Sequence, residues 1–107
     1  MSFNIIPTSN FIKEAKKLSK KYASLPKDLA ALKNELAENP VQGISLGNNC
    51  YKLRMAIASK NKGKSAGARV ITFLRIEKER VFLVSIYDKS ERENISDNEL
   101  KGLIKNI

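Results

Sequence analysis

The sequence of 107 residues predicts one α+β domain, 1–107, in which a small antiparallel-dominated sheet carries an N-terminal helical hairpin and a short C-terminal helix. One observation behind this prediction is a change in the spacing of apolar residues along the chain. Apolar residues recur at helical spacing before residue 40 and alternate at strand spacing after residue 50. The other is the length, which suits a single compact domain, and no repeat or linker-like stretch divides the chain.

The first elements are a short strand and a helix. Phe3 to Ile6 is rich in strand-forming residues, and Pro7 ends this run because proline has no N–H to donate to a ladder. Thr8 or Ser9 then offers an N-cap for a helix. The apolar stripe of this helix consists of Phe11, Ala15, Leu18 and Tyr22.

A second helix follows at once and completes the hairpin. Ser24 and Pro26 are typical of a helix cap and first turn, and Asn39-Pro40 ends the helix because the residue before a proline disfavours helical backbone. The stripe of this helix consists of Leu25, Leu29, Leu32 and Leu36.

The second half predicts three strands and a last helix, giving the order β-α-α-β-β-β-α. Residues 51–57 alternate as a half-buried strand, and residues 59–67 form a polar, glycine-containing loop. Residues 68–76 and 81–87 are joined by a short link and should form a hairpin. A capping box at 96–99 begins a short amphipathic helix. We expect the three strands to form an antiparallel meander with the helices packed on one face.

The composition excludes several classes of enzyme. The chain has no His and a single Cys, Cys50, so Ser-His-Asp or Cys-His catalysis, an HExxH metal site and a cysteine zinc site are not expected. No apolar run is long enough to span a membrane, and the first residues lack the layout of a signal peptide. The sequence therefore predicts a cytoplasmic domain with no membrane, metal or small-molecule cofactor.

The charge is large and unevenly distributed. Twenty basic residues against eleven acidic ones leave a net charge of +9. Residues 52–75 hold seven basic residues and no acid, and residues 13–21 hold five lysines and only Glu14. The acids gather at 77–79 and 88–99. This segregation favours a basic face for nucleic acid or an acidic protein, although an excess charge that only keeps the domain soluble is the plainer reading.

Lys52 and Arg54 are the most informative pair. Residues two apart in a strand point to the same face, so both cations emerge together. If the strands on either side of loop 59–67 pair, Arg69 falls near Arg54, and like charges facing one another destabilise a sheet. A bound phosphate would relieve that repulsion. The alternative is that these cations simply extend into water.

The order of elements, the size and the charge resemble the RelE/ParE toxin superfamily. The resemblance is carried by CYKLRM at 50–55, GARVITF at 67–73 and VFLVSIYDKSERENIS at 81–96. It is closest to the RelE-like and HigB-like toxins of type II toxin–antitoxin pairs. The resemblance implies a toxin that enters the ribosomal A site and cuts the mRNA there. The implied partners are a cognate antitoxin, the ribosome and mRNA.

The resemblance also implies roles for individual residues. The family's basic pair on the second strand matches Lys52 and Arg54, its arginine at the start of the next strand matches Arg69, and its basic residue after the last strand matches Lys89. Some members use a C-terminal tyrosine, whose position here is taken by Ile95, which leaves Tyr87 as a displaced substitute.

These matches suggest a nuclease that works without His or metal. Lys52 is the candidate base, since neighbouring cations disfavour the charged form of a lysine. Arg69 would hold the scissile phosphate with help from Arg54, and Lys89 could protonate the leaving 5′-oxygen. The residues expected to bind ribosomal RNA are Lys60, Lys62, Lys64, Arg75, Lys13, Lys16, Lys17 and Lys20.

Two other functions stay open at this point. ParE-like members share the fold but poison DNA gyrase, and they do not need the basic pair as a catalytic group. A catalytically inactive module that binds RNA or an antitoxin is the other alternative, because the tyrosine is missing.

Overall fold

The computed structural model describes residues 2–107 and has a five-stranded sheet with three helices. The strands are β1 (Asn4–Pro7), β2 (Ile44–Gly47), β3 (Cys50–Met55), β4 (Ala68–Arg75) and β5 (Arg80–Asp88). The helices are α1 (Ser9–Lys21), α2 (Leu25–Glu38) and α3 (Asp97–Ile104). The predicted α+β fold, with its helical hairpin and short C-terminal helix, is confirmed.

The strand order is β1-β5-β4-β3-β2. The predicted meander of β3, β4 and β5 is antiparallel throughout, and β1 adds to it as a parallel edge strand. Pro7 ends β1, so the outer edge of β5 beyond Leu83 needs other partners. Asn10 donates to the carbonyl of Val84 at 3.0 Å, and Glu14 accepts from Ser85 Oγ at 2.7 Å. Helix α1 therefore takes the place of an edge strand there.

Strand β2 was not predicted. It pairs with β3 through a two-residue turn in which Asn48 and Asn49 have φ angles of 53° and 62°. Asparagine tolerates this left-handed backbone, and two such residues form the turn that best matches the twist of a hairpin. The signal was present in the sequence as Asn48-Asn49, but β2 itself is only four residues long and mostly exposed.

The helices do not all lie on one face, so that expectation was wrong. Helices α1 and α2 pack on the face that includes Val70 and Leu83, whereas α3 packs through Leu100 on the face that includes Ile71 and Val84. Neighbouring residues in a strand point to opposite faces. Strand β4 is apolar at successive positions because it is covered on both sides, and such a run does not reveal which helix covers which side.

The predicted starts of α1 and α3 are confirmed by side-chain caps, whereas Ser24 precedes α2 without a side-chain capping hydrogen bond. Thr8 Oγ1 accepts from the N–H of Phe11 at 3.2 Å, and Ser96 Oγ accepts from the N–H of Glu99 at 3.1 Å. Within residues 2–107, each helix is too short or too polar to cross a membrane.

Substitution of Gly67 by alanine is expected to lower the free energy of unfolding by about 1–3 kcal/mol. A Cβ at Gly67 would lie 2.1 Å from the carbonyl oxygen of Met55, so the end of β3 would have to move. The measurement is urea unfolding followed by circular dichroism. Gly102→Ala is the control, because a Cβ there meets nothing within 4 Å. It should raise stability by about 0.5–1 kcal/mol through helix propensity. Equal midpoints for the two variants would contradict this account of Gly67.

Candidate active site

A cleft of about 610 Å³ opens beside β3 and β4, and most of its polar lining residues are basic. Its polar lining comprises the basic residues Lys52, Arg54, Lys64, Arg69 and Lys89, together with Gln42, Asn94 and one acid, Glu93. Arg69 lies two positions from Ile71 on β4, so it shares the face of the sheet that carries α3. Four residues predicted as catalytic therefore converge in one place.

Arg54 and Arg69 are paired directly across the β3–β4 ladder. Arg69 is only 5% exposed, and its guanidinium donates to the carbonyls of Ser65 at 2.9 Å and Lys64 at 3.2 Å. Burial lowers the pKa of Arg69, and the neighbouring charge of Arg54 lowers it further. This is a site where positive charge is concentrated at a cost, and an anion bound between the two guanidiniums would offset that cost.

Lys52 and Lys89 enter the cleft from two further elements. Lys52 Nζ donates to Asn94 Oδ1 at 2.8 Å, which ties β3 to the segment before α3. Lys89 follows β5 directly, has an exposed side chain and donates its backbone N–H to the carbonyl of Gly67 at 3.1 Å. The two lysines thus reach the cleft from different sides of the arginine pair.

Loop 59–67 is held in place by a buried carboxylate that the sequence analysis missed. The side chain of Asp88 has no exposed surface and accepts from Lys60 Nζ at 2.7 Å and Tyr22 Oη at 2.6 Å. Ser90 adds two further donors. Burial raises the pKa of Asp88, but these hydrogen bonds outweigh it and hold that pKa well below its usual range.

Lys60 is consequently part of the scaffold of the loop. Its side chain is 13% exposed, and its Nζ donates to the carbonyl of Ala66 at 2.7 Å as well as to Asp88. The sequence predicts that Lys60 binds RNA, but in the structure its ammonium forms an internal ion pair with Asp88. No pattern in the sequence links Lys60 to an acid 28 positions away.

Tyr87 is not among the residues that line the cleft. It is 7% exposed and packs in the core beneath α3, where its hydroxyl donates to the carbonyl of Glu93 at 3.4 Å. Burial raises the pKa of its hydroxyl, and the guanidinium of Arg92 lies 5.1 Å from the ring centroid. Ile95 packs against the same core. The tyrosine predicted as a displaced catalytic group thus supports the segment that carries Glu93.

The other predicted RNA-binding residues lie outside the cleft, apart from Lys64. Lys13 and Lys17 line a second cleft of about 690 Å³ between α1 and the end of β5. Arg75 lies at the opposite end of β4, where it contacts the ring of Phe73 and donates to the carbonyl of Ile107. Lys16, Lys20 and Lys62 are also exposed, and they line neither of these two clefts.

The described residues offer no cluster of metal-ligating side chains. Within residues 2–107, no group of three or more His, Cys, Asp or Glu side chains is placed to hold a metal ion. Cys50 is fully buried, and burial raises the pKa of its thiol to about 11. A thiol in that state is a poor nucleophile at neutral pH.

Comparison with known proteins agrees with this geometry. Residues 4–106 match the family described as the RelE toxin of the RelE/RelB toxin–antitoxin system. The chain belongs to the RelE toxin family. That family implies an antitoxin as a partner, and it confirms the resemblance read from the sequence.

The fold of this RelE family member is also similar to solved structures of Escherichia coli RelE. A double arginine-to-alanine mutant of that toxin in the free state is 20% identical, with a TM-score of 0.65 over 100% of this chain and 99% of the other. The isolated E. coli toxin is 19% identical, with a TM-score of 0.61 over 99% and 100% of the two chains. At this identity the likeness concerns the fold.

Replacing Asp88 by asparagine is expected to cost about 3–5 kcal/mol of stability at pH 7, because it leaves Lys60 buried without its partner. The pKa of Asp88 is lower in the folded than in the unfolded state. Its ionisation therefore stabilises the fold above the unfolded carboxyl pKa of about 3.9, and this contribution is lost as the pH falls below that value.

The measurement is the urea midpoint of wild type and Asp88→Asn at pH 7 and pH 3. The difference between them should narrow at the lower pH. Glu91→Gln is the control, because Glu91 forms an exposed ion pair with Lys21 and should change stability by less than about 1 kcal/mol. A difference that stays constant with pH would contradict the role given to the carboxylate.

Proposed function

We propose that this RelE-family toxin is a ribosome-dependent endoribonuclease that inhibits translation by cutting mRNA in the ribosomal A site. The observation that carries the proposal is the convergence of Lys52, Arg54, Arg69 and Lys89 in one cleft, with Arg54 and Arg69 facing each other on the ladder. Such a cleft fits a phosphodiester, because paired guanidiniums match phosphate oxygens in both charge and geometry.

The chemistry uses a nucleophile that RNA supplies itself. The 2′-hydroxyl gives its proton to a general base and its oxygen attacks the adjacent phosphorus, while the bond from phosphorus to the 5′-oxygen breaks. The products are a 2′,3′-cyclic phosphate and a 5′-hydroxyl. Arg54 and Arg69 stabilise the negative charge that grows on the phosphoryl oxygens, and the Lys89 ammonium gives a proton to the leaving oxygen. Neither His nor a metal ion is required for these steps.

The character of the cleft supports the proposed dependence on the ribosome. Among the described residues that line it, none is aromatic, so a base has no ring on which to stack. The cleft can attract a phosphate but cannot by itself orient a nucleotide for in-line attack. The ribosome would supply that orientation, and the exposed lysines would bind ribosomal RNA through its phosphates. The proposed target lies in the cytoplasm.

Arg54→Ala and Lys89→Ala are expected to reduce the rate of mRNA cleavage by about 100-fold each, through lost charge stabilisation and lost protonation. The measurement is primer extension on mRNA in a translating extract, with ribosome-free mRNA alongside. Arg80→Ala is the control, because Arg80 is equally charged and exposed but lies outside the cleft, at the start of β5. Antitoxin binding should be retained by all three variants.

Intact mRNA in the presence of wild-type protein would refute the nuclease. Loss of DNA supercoiling activity by gyrase would then indicate a ParE-like poison. Binding to RNA or antitoxin without either effect would indicate an inactive module.

An mRNA with a 2′-deoxynucleotide at the scissile position is expected to resist cleavage completely, because it lacks the internal nucleophile. The unmodified mRNA should yield a fragment that ends in a 2′,3′-cyclic phosphate. Detection of the end groups by chemical or enzymatic labelling checks both statements. Cleavage of the deoxy substrate at an unchanged rate would instead indicate attack by water.

A further inference from the structure

The carboxylates around the cleft differ in whether they already form hydrogen bonds or ion pairs within the protein. Asp88 is buried in its network, and Asp28 accepts from Ser24 Oγ at 2.8 Å and from the N–H of Ala58 at 3.1 Å. Glu91 pairs with Lys21 and points to the other side of β5. Glu93 is the one acid among the residues that line the cleft, and within residues 2–107 it has no ion-pair partner within 4.0 Å.

The backbone that carries Glu93 is fixed on both sides. Tyr87 donates its hydroxyl to the Glu93 carbonyl at 3.4 Å. Asn94 is held through its side chain by Lys52 at 2.8 Å, and through its carbonyl by Arg92 Nε at 3.0 Å. The Glu93 carboxylate also acts on the guanidinium at the cleft floor. Burial and Arg54 lower the pKa of Arg69, and Glu93 is one of the two groups that oppose this.

The basic residues are poorly suited to accept a proton. An ammonium or guanidinium has no free lone pair, and arginine does not lose its proton in proteins. Lys52 Nζ is already engaged as a donor to the Asn94 amide oxygen. A carboxylate, by contrast, is ionised throughout the neutral range and needs no activation to accept a proton.

We propose that Glu93 is the general base of the ribonuclease reaction, accepting the proton of the 2′-hydroxyl as its oxygen attacks phosphorus. The inference rests on the proposed function and assigns to Glu93 the step for which the sequence suggested Lys52. The proton moves to the Glu93 carboxylate, the O2′–P bond forms, and the P–O5′ bond breaks. The leaving oxygen takes its proton from Lys89, and the two side chains exchange protons with water before the next turnover.

This assignment gives a role to each charged group that lines the cleft except Lys64. Arg54 and Arg69 neutralise the phosphoryl oxygens, Lys52 holds the segment that carries the base, and Lys89 is the acid. The charged and titratable groups that face Glu93 are Lys52 and Arg54 on β3, Lys64 in the loop, Arg69 on β4, Lys89 after β5, and Tyr87 and Arg92 beneath the segment.

Glu93→Gln tests the assignment by single-turnover cleavage of mRNA on saturating ribosomes. Loss of a general base is expected to reduce the rate constant by about 100-fold or more, with the ribosome concentration for half-maximal rate unchanged within about threefold. Glu93→Asp should recover part of the rate. Glu35→Gln is the matched control, because Glu35 lies in an adjoining depression lined by Arg54 and Lys64 but outside the cleft. It should retain the wild-type rate within about threefold.

The pH dependence separates a carboxylate base from a lysine base. With a carboxylate as the base, the wild-type rate is expected to stay level between about pH 6 and 8, because carboxylates are ionised throughout the neutral range. A lysine base would give a rate that rises tenfold per pH unit over that range. Glu93→Gln should replace the level profile by one that rises with pH as hydroxide takes over.

The failures of the two proposals are distinguishable. If wild type cuts mRNA and Arg54→Ala does not, but Glu93→Gln keeps more than a third of the rate, Glu93 is not the base and the nuclease stands. A faster Glu93→Gln variant would show that the carboxylate only repels phosphate. If wild type itself leaves ribosome-bound mRNA intact, the proposed function fails as well. Because Glu93 is exposed, a thermal melt and antitoxin binding should match wild type and exclude misfolding.

Discussion

The buried carboxylate of Asp88 is the interaction on which the arrangement of the cleft depends. It joins α1 through Tyr22, the basic loop through Lys60 and the end of β5 through its own backbone. Once the loop is held, the carbonyls of Lys64 and Ser65 are in position to accept from Arg69. Without a buried anion at this point, no negative charge would hold the loop and its three lysines in place. Asp88 is therefore buried in the core, where it fixes the position of Lys60 without neutralising the charge of the cleft.

The same arrangement explains how a sheet tolerates two facing arginines. Arg69 gains three carbonyl acceptors, which replace water for a guanidinium that is almost fully buried. Arg54 stays exposed and keeps its hydration. The repulsion between them is thus reduced but remains, because Arg54 adds to the effect of burial in lowering the pKa of Arg69. Charge that is fixed before the reaction stabilises a transition state better than charge that must be moved into place. Under the proposed function, this repulsion is offset when the phosphate of the RNA binds between the two guanidiniums.

Much of the fold could be predicted because local patterns and tertiary packing agree. The leucine stripe of α2 and the alternation in β3 each encode which side chains are buried, and the pairing of Arg54 with Arg69 follows from the strand period. The side of the sheet that α3 covers could not be predicted, since β4 is apolar toward both faces. Residue types alone also could not separate Lys60, which is committed to Asp88, from Lys64, which lines the cleft. The two lysines differ only through contacts that form when distant segments meet.

Tyr87 is the reverse case, in which the residue type suggested a functional role but the fold places the side chain elsewhere. As a residue type it suggested catalysis, yet its position on β5 directs the ring into the core beneath α3. No sequence motif pointed to Glu93, because the many basic residues dominate the charge pattern of this protein. Glu93 becomes recognisable only in the folded protein, where other acids near the cleft already form hydrogen bonds or ion pairs and Glu93 lies among cations. A cleft that contained only positive charge could hold RNA but would have no group ready to accept a proton at neutral pH. Under the proposed mechanism, the fixed cations bind the phosphodiester and stabilise the charge that develops on it, and the carboxylate of Glu93 supplies the acceptor for the proton of the 2′-hydroxyl.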